Sequence, residues 1–244
     1  MPISVLTSSD FRAMPAEEAR RKFADKAAVT DETFERLSTA ARNAAFRIAK
    51  VHSARLIQRA QKIIERSIEQ GTSWRDARIA LLKEFDTEGI PRPSLAHLRT
   101  VFNQNVDTAY NDARREVLDE PEMREAFPYR QYLTVGNGTP GVNGVRATHA
   151  ALHGLIFRSD DPFWDKFTPP WEWGCRCMIV PVTDNQVKGR RVRDAEYVDK
   201  KIRVAGEKRR GIRPHPAFDR RRDLLKGIEG ELRGALEAML GEGT

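Results

Sequence analysis

Cysteine is scarce in this 244-residue sequence, which contains only Cys175 and Cys177. A framework of disulfide bonds, as in small secreted domains, is therefore excluded as the basis of the fold. No apolar run approaches the roughly eighteen residues that a membrane span requires. The start of the chain, Met1 to Ser4, also lacks the charged and apolar regions of a secretory signal. We therefore expect a protein that stays in the cytosol where it is made and binds no membrane.

The common motifs of nucleotide and metal hydrolysis are also missing. The sequence has no Walker loop, no glycine fingerprint of a dinucleotide site and no His-Glu-x-x-His motif. It shows no internal repeat of the solenoid type, and its length suits one or two domains. We therefore expect that the protein is not an enzyme.

Basic residues outnumber acidic ones. The chain has 42 Lys and Arg residues against 35 Asp and Glu, for a formal net charge of +7. Such a balance favours contact with polyanions such as nucleic acid. A basic surface that is simply well solvated gives the same charge, so the composition leaves both interpretations open.

The first half of the sequence has the spacing of amphipathic helices. Apolar residues recur every three or four positions from about Thr33 to Gln70, which predicts one long helix. Ser73 and Ser94 are predicted to cap two further helices. The apolar faces of these helices are interpreted as core or helix-pairing surfaces.

The pattern changes after Pro121. Short apolar or alternating stretches predict strands at residues 129–135, 155–157 and 178–182, with a short helix at residues 148–152. The aromatic residues between the last two strands are predicted to form a small core; they are Phe163, Trp164, Phe167, Trp171 and Trp173.

The predicted fold class is α+β, in which a helical N-terminal half with long helices precedes a small mixed α/β domain with short strands and a basic C-terminal segment. The predicted divisions are an N-terminal extension (residues 1–32), a helical region (33–120), an α+β core region (121–182) and a basic segment with a C-terminal helix (183–244).

The basic segment supplies the candidate DNA-binding residues. They are Lys188, Arg190, Arg191, Arg193, Lys208, Arg209, Arg210, Arg220, Arg221 and Arg222. We expect these side chains to contact phosphates of double-stranded DNA without sequence preference. The alternative is a flexible, solvated segment that becomes ordered only on the acidic surface of a partner. Residues 224–240 are predicted to form a terminal amphipathic helix.

His149, Cys175 and Cys177 are candidate metal ligands. Thiolate and imidazole groups suit zinc, which structural sites bind with four such ligands. Structural zinc sites usually have two residues between paired cysteines, whereas here there is one. With that spacing both thiols point the same way only if the backbone is extended. A structural zinc ion is therefore one interpretation, and we expect no other cofactor.

Two further interpretations of these residues remain open. In one, both cysteines are half-buried where a strand begins, and His149 is hydrogen-bonded to a nearby carboxylate such as Asp161. In the other, Cys175 or Cys177 is a nucleophile and His149 is its base. The sequence marks no oxyanion hole for such an enzyme.

The same region resembles a known family. The runs Arg146 to Gly154, Asp160 to Asp165, Thr168 to Pro170 and Trp173 to Cys177 resemble the signature of the phage Mu F-like head morphogenesis domain. The resemblance extends from about Ala44 to Val182. Ala113 and His153 depart from the family pattern, which often has Gly and Asp there.

The resemblance implies a minor capsid, or head morphogenesis, protein of a tailed phage or prophage. Such a protein associates with the portal protein and the procapsid interior, and we expect it to contact packaged DNA. Its implied location is the virion, in the head and portal region, and the bacterial host cytoplasm during assembly. We expect no fused enzymatic domain, because the chain ends soon after the matching region. The alternative function is a metal-stabilised DNA-binding module.

Overall fold

The computed structural model describes residues 16–141, 144–202, 204, 212–218 and 228–241. It confirms the α+β class, because helices predominate and short strands form a small mixed sheet. The described residues form two compact units. The helical unit contains the residues up to Tyr110 and those from Pro216 onward, and the mixed unit runs from Asn111 to His215.

The helices and strands of the two units follow one another along the chain. The described helices are α1 (Ala16–Ala24), α2 (Asp31–Arg36), α3 (Thr39–Asn43), α4 (Ala54–Gln70), α5 (Trp74–Thr87), α6 (Leu95–Asp119), α7 (Pro121–Ala126), α8 (Ala147–Ala150), α9 (Phe163–Phe167), α10 (Asp184–Val187), α11 (Ala195–Lys201) and α12 (Ile228–Gly241). The described strands are β1 (Ala27–Ala28), β2 (Ala45–Phe46), β3 (Tyr129–Leu133), β4 (Ile156–Arg158), β5 (Met178–Val182) and β6 (Val192–Arg193).

The long helix predicted from Thr33 to Gln70 is wrong. Hydroxyl groups of Thr30, Ser38 and Ser53 each accept a hydrogen bond from the backbone N–H three residues later, and each begins a new helix. Such caps satisfy N–H groups that a helix leaves free at its start. The region therefore contains α2, α3 and α4, with β2 pairing in parallel with β1.

The later helix boundaries follow their predicted caps more closely. Gly71 ends α4 in the left-handed conformation, with φ of 65°. Ser94 caps α6, since its hydroxyl accepts a hydrogen bond from the His97 N–H at 3.2 Å. The Ser73 hydroxyl instead donates to the Asp76 carboxylate at 2.8 Å.

The helical unit has a core made of apolar helix faces. Helix α4 packs against α1 and α5. The predicted terminal helix is described from Ile228, and its Ile228, Leu232 and Leu236 pack against a buried cluster that includes Val29 and Leu37. Residues 224–227 lie outside the described part of the chain.

The mixed unit contains a four-stranded sheet in the order β5-β3-β4-β6. Strand β3 pairs antiparallel with both neighbours, and β6 pairs parallel with β4. Strand β5 has the predicted bounds. Strand β3 ends two residues before its predicted end, because a 3₁₀ turn begins at Val135.

The predicted aromatic core is confirmed for four of its five rings. Phe163 lies at its centre, stacked on Phe157 at a centroid distance of 3.8 Å. Phe163, Trp164, Phe167 and Trp171 are buried, whereas Trp173 is 51% exposed. The placement of Trp173 in the core was therefore wrong. Buried aromatic area of this kind supplies much of the stabilisation of a small domain.

The first part of the basic segment belongs to the mixed unit. Residues 184–201 form α10, β6 and α11, and Val198 is buried in the aromatic core. Strand β6 adds to the sheet at Ile156 of β4. The increase in basic residues that begins at residue 183 therefore does not mark the end of the mixed unit.

None of the helices in the described part of the chain combines the length and the apolar character that a membrane span requires.

Candidate functional site

His149, Cys175 and Cys177 come together in the mixed unit. His149 lies on the short helix α8, and the two cysteines lie in the segment that leads into β5. Cys175 and Cys177 are buried, whereas Arg176 between them is exposed. This alternation is that of an extended backbone, which places both thiols on the same side. The backbone therefore has the extended form that a Cys-x-Cys pair needs to point both thiols the same way.

The three side chains form a compact, enclosed cluster. His149 Nδ1 lies 3.3 Å from Cys177 Sγ. One ligand atom from each of the three residues can be chosen so that all lie within 4.8 Å of one another. The exposed fractions of His149, Cys175 and Cys177 are 3%, 2% and 5%. The cluster is thus almost fully removed from solvent.

Glu172 fixes the orientation of the histidine ring. Its Oε2 atom lies 2.9 Å from His149 Nε2 and forms an ion pair with Arg146 Nε at 3.0 Å. A carboxylate only accepts hydrogen bonds, so the contact with Glu172 requires a proton on Nε2. Arg146 Nη2 lies farther from Nε2, at 3.3 Å. The other ring nitrogen, Nδ1, faces the sulfur of Cys177.

The proposed hydrogen bond between His149 and Asp161 is not formed. The Asp161 carboxylate instead accepts a hydrogen bond from the Phe163 N–H at 2.8 Å, where it helps to begin α9. The carboxylate partner of His149 is Glu172, which the sequence interpretation did not single out.

Other buried side chains hold the cluster from the side of the core. Trp171 Nε1 donates a hydrogen bond to the Tyr132 hydroxyl at 2.6 Å. The Tyr132 hydroxyl in turn is hydrogen-bonded to Cys177. Asn111 Nδ2 donates to the Cys177 carbonyl oxygen at 3.4 Å. Tyr132, Trp171 and Asn111 therefore support a site that sequence spacing alone could not connect to them.

The two thiols have opposite pKa shifts. Burial by itself raises the pKa of the Cys175 thiol, but hydrogen bonds from Cys177 and His149 outweigh burial and hold that pKa well below its usual range. The hydrogen bond to Cys175, together with burial, raises the pKa of the Cys177 thiol. The shifts are opposite because the two buried thiols are hydrogen-bonded to one another.

A small pocket adjoins the cluster. It has a cavity volume of about 20 Å³, and its lining includes His149, Cys175, Cys177, Arg146 and Arg176. Such a volume accommodates about one water molecule. It is far smaller than the several hundred cubic ångströms that are typical of sites for organic ligands. The cluster can therefore hold an ion or a water molecule, but not an organic substrate.

The basic segment lies at another part of the mixed unit. Lys188, Arg190 and Arg191 are exposed between α10 and β6. Arg193 is half-buried, and its guanidinium lies 4.0 Å from the centre of the Tyr197 ring. The other candidate DNA-binding residues lie outside the described residues; they are Lys208, Arg209, Arg210, Arg220, Arg221 and Arg222.

The chain matches the family described as phage Mu protein F like protein over residues 58–180. It is 33% identical over 174 residues to the Mu-like prophage FluMu F protein of Haemophilus influenzae. This aligned region covers 66% of this chain and 40% of that protein. It is 26% identical over 206 residues to the "Putative capsid assembly protein F" of Escherichia phage Mu. Here the aligned region covers 77% of this chain and 45% of that protein.

The chain therefore spans less than half the length of both curated relatives. No solved structure matches it.

Proposed function

Because this chain belongs to the phage Mu protein F like family, we propose that it is a minor capsid, or head morphogenesis, protein of a tailed phage or prophage. The observation that carries this proposal is the family match, which includes most of α4, all of α5 and α6, the sheet strands β3 and β4, and most of β5. The phage Mu relative, whose name refers to capsid assembly, supports the same role. The location that follows is the virion, and the bacterial host cytoplasm during assembly.

The partners in this role are the portal protein and other components of the procapsid. In the helical unit, Ile79 on α5 and Leu95 at the start of α6 are 61% and 49% exposed. Apolar side chains that remain in solvent are suitable anchors for a partner, because burying them on association stabilises the complex. Both residues lie inside the region that matches the family.

A binding experiment with the portal protein of the same phage tests this role. The purified chain is mixed with portal rings and separated on a gradient, and we expect it to migrate with the rings. An Ile79→Glu variant should bind more weakly, whereas Arg78→Glu, next to it on the same helix, serves as the control for a change of charge. Migration of all the protein apart from the rings, at every assembly condition, would contradict the role.

Contact with packaged DNA is the second part of the proposal. The support is the net charge of +7 and the position of Lys188, Arg190 and Arg191, which are exposed and make no ion pair among the described residues. Cations of this kind bind phosphates and release counterions, so the affinity falls as salt rises. The basic residues that lie outside the described part of the chain belong to the same proposal.

Fluorescence anisotropy with a labelled duplex tests the contact with DNA. We expect the affinity to fall with salt concentration and to be similar for unrelated sequences. Replacing Lys188, Arg190 and Arg191 together by Ala should weaken binding and lower the slope of log affinity against log salt by about one for each phosphate that is no longer bound. Arg36→Ala is the control, since Arg36 is paired with Glu32 on α2. An affinity that does not depend on salt would rule out this contact.

The proposal assigns no catalytic turnover to the chain. A nucleophilic cysteine must reach its substrate, and Cys175 and Cys177 are almost completely enclosed beside a pocket of about 20 Å³. The alternative function, a metal-stabilised DNA-binding module, would show salt-dependent DNA binding without any association with portal or procapsid components. The two binding experiments together therefore distinguish the two functions.

A further inference from the structure

The cluster of His149, Cys175 and Cys177 has the dimensions of a metal site. Zinc binds sulfur at about 2.3 Å and imidazole nitrogen at about 2.0–2.1 Å, so ligand atoms at the corners of a tetrahedron lie roughly 3.5–3.8 Å apart. The observed distance between His149 Nδ1 and Cys177 Sγ is 3.3 Å, and all three ligand atoms lie within 4.8 Å of one another. Shifts of a few tenths of an ångström up to about one ångström bring all three to bonding distance.

The surroundings of the histidine are those of a metal ligand. Glu172 Oε2 lies 2.9 Å from His149 Nε2 and accepts a hydrogen bond from that nitrogen. The opposite nitrogen, Nδ1, faces the sulfurs and can bind a cation on that side once it carries no proton. In metal sites the second nitrogen of a histidine is usually bonded in this way to a carboxylate or carbonyl oxygen, which fixes the tautomer and the ring orientation. The stacked ring of Trp171, 3.8 Å away, fixes the same orientation.

The pocket beside the cluster supplies a fourth position. All three candidate ligand residues line this pocket, and its volume of about 20 Å³ accommodates one water molecule. A tetrahedral ion held by three protein ligands would complete its coordination there.

We propose that His149 Nδ1 and the sulfur atoms of Cys175 and Cys177 bind one zinc ion, with a water molecule from the pocket as the fourth ligand. Two sulfurs and one imidazole nitrogen favour zinc over the hard cations magnesium and calcium, which prefer oxygen ligands. The ion joins helix α8 to the segment that begins strand β5. Its role is to stabilise the mixed unit, and Glu172 is a positioning residue for His149.

Metal analysis of the untagged full chain, purified without chelator, is the first test. We expect one zinc ion per chain, and the X-ray absorption spectrum at the zinc edge should show two sulfur ligands and one imidazole. Removal of the ion with a chelator should lower the melting temperature, and added zinc, but not added magnesium, should restore it.

Variants locate the ion. Cys177→Ser and His149→Gln should remove stoichiometric zinc, and Glu172→Ala should lower the zinc affinity roughly 10- to 100-fold. His153→Gln, which changes a neighbouring histidine outside the cluster, should keep one zinc ion per chain. Because a variant can fail to fold, the zinc content and melting temperature of the unaltered chain decide whether the proposal holds. A folded chain without zinc, a melting temperature that zinc does not change, a disulfide between the two cysteines, or zinc bound by oxygen and nitrogen alone would each overturn the proposal.

Discussion

The imidazole ring of His149 lies flat on the indole ring of Trp171, with their centroids 3.8 Å apart and their planes 9° from parallel. Trp171 also donates a hydrogen bond to Tyr132, and its ring packs edge-to-face against Phe167. One buried side chain thus contacts the histidine of the candidate site, the sheet and the aromatic core. The stability of the mixed unit and the geometry of its site therefore depend on the same residue.

Replacement of Trp171 should destabilise the protein far more than replacement of Trp173. Trp171 is 1% exposed and Trp173 is 51% exposed. Trp171→Ala leaves a cavity in the core and should lower the free energy of unfolding by about 3–5 kcal/mol, whereas Trp173→Ala should change it by no more than roughly 0.5 kcal/mol. Urea unfolding followed by circular dichroism measures both. Equal losses for the two variants would show that Trp171 is not part of the core.

Loss of Asp119 should leave a buried charge without its partner. Arg130 has a side chain only 2% exposed and lies 2.8 Å from the Asp119 carboxylate. Burial lowers the pKa of the Arg130 guanidinium, and the carboxylate counteracts that shift. Asp119→Ala should therefore lower the free energy of unfolding by about 3–5 kcal/mol, and a second change, Arg130→Met, should recover much of the loss.

The control for this pair is Asp160→Ala. Asp160 is paired with Arg158 at the surface, where both side chains are more than half exposed, so its replacement should have little effect on unfolding. If the double variant is no more stable than Asp119→Ala alone, the buried charge is not the cause of the loss.

Gly138 should tolerate a side chain less well than Gly141. Both have positive φ, 75° and 82°, so alanine is strained at either position. A Cβ atom on Gly138 would also lie 2.5 Å from the His153 side chain, whereas one on Gly141 would meet nothing within 4 Å. Gly141→Ala should cost about 1–2 kcal/mol for its backbone conformation, and Gly138→Ala should cost distinctly more. Similar melting temperatures for the two variants would contradict the close contact with His153.

Asp161 should make stability depend on pH. Burial raises the pKa of its carboxyl group in the folded protein. Its contribution is therefore fully present below the unfolded pKa of about 3.9, and is lost as the pH rises through the higher folded value. Asp161→Asn cannot ionise, so its stability relative to the unaltered protein should increase from pH 3 to neutral pH. Urea unfolding across that range measures the difference, and a difference that is constant or of opposite sign would refute the shift.

The sequence predicted the fold class and most strand positions, because alternation and apolar runs report which side chains are buried. It failed at the predicted long helix, where Ser38 and Ser53 begin new helices although helical spacing of apolar residues continues through them. A serine inside a helical pattern can either continue the helix as an exposed residue or cap the start of a new helix. Only the tertiary packing decides which of the two forms.

The candidate site was predictable in part. The chain has only five histidines and two cysteines, so the metal-binding residue types stand out in the sequence. The structure brings His149, Cys175 and Cys177 together. Glu172 was not predicted, because no periodic pattern relates it to a histidine on α8. Trp171 and Trp173 lie in one irregular stretch, so their different burial has no signal in the spacing of the residues.

Imaging of portal assemblies from cells that co-express this chain with the portal protein of the same phage tests the proposed assembly role most directly. We predict additional ordered density bound to the portal ring, into which the helical unit or the mixed unit can be fitted. Portal rings without additional density, with all of the chain recovered unbound, would contradict the role in head assembly and favour the DNA-binding module instead.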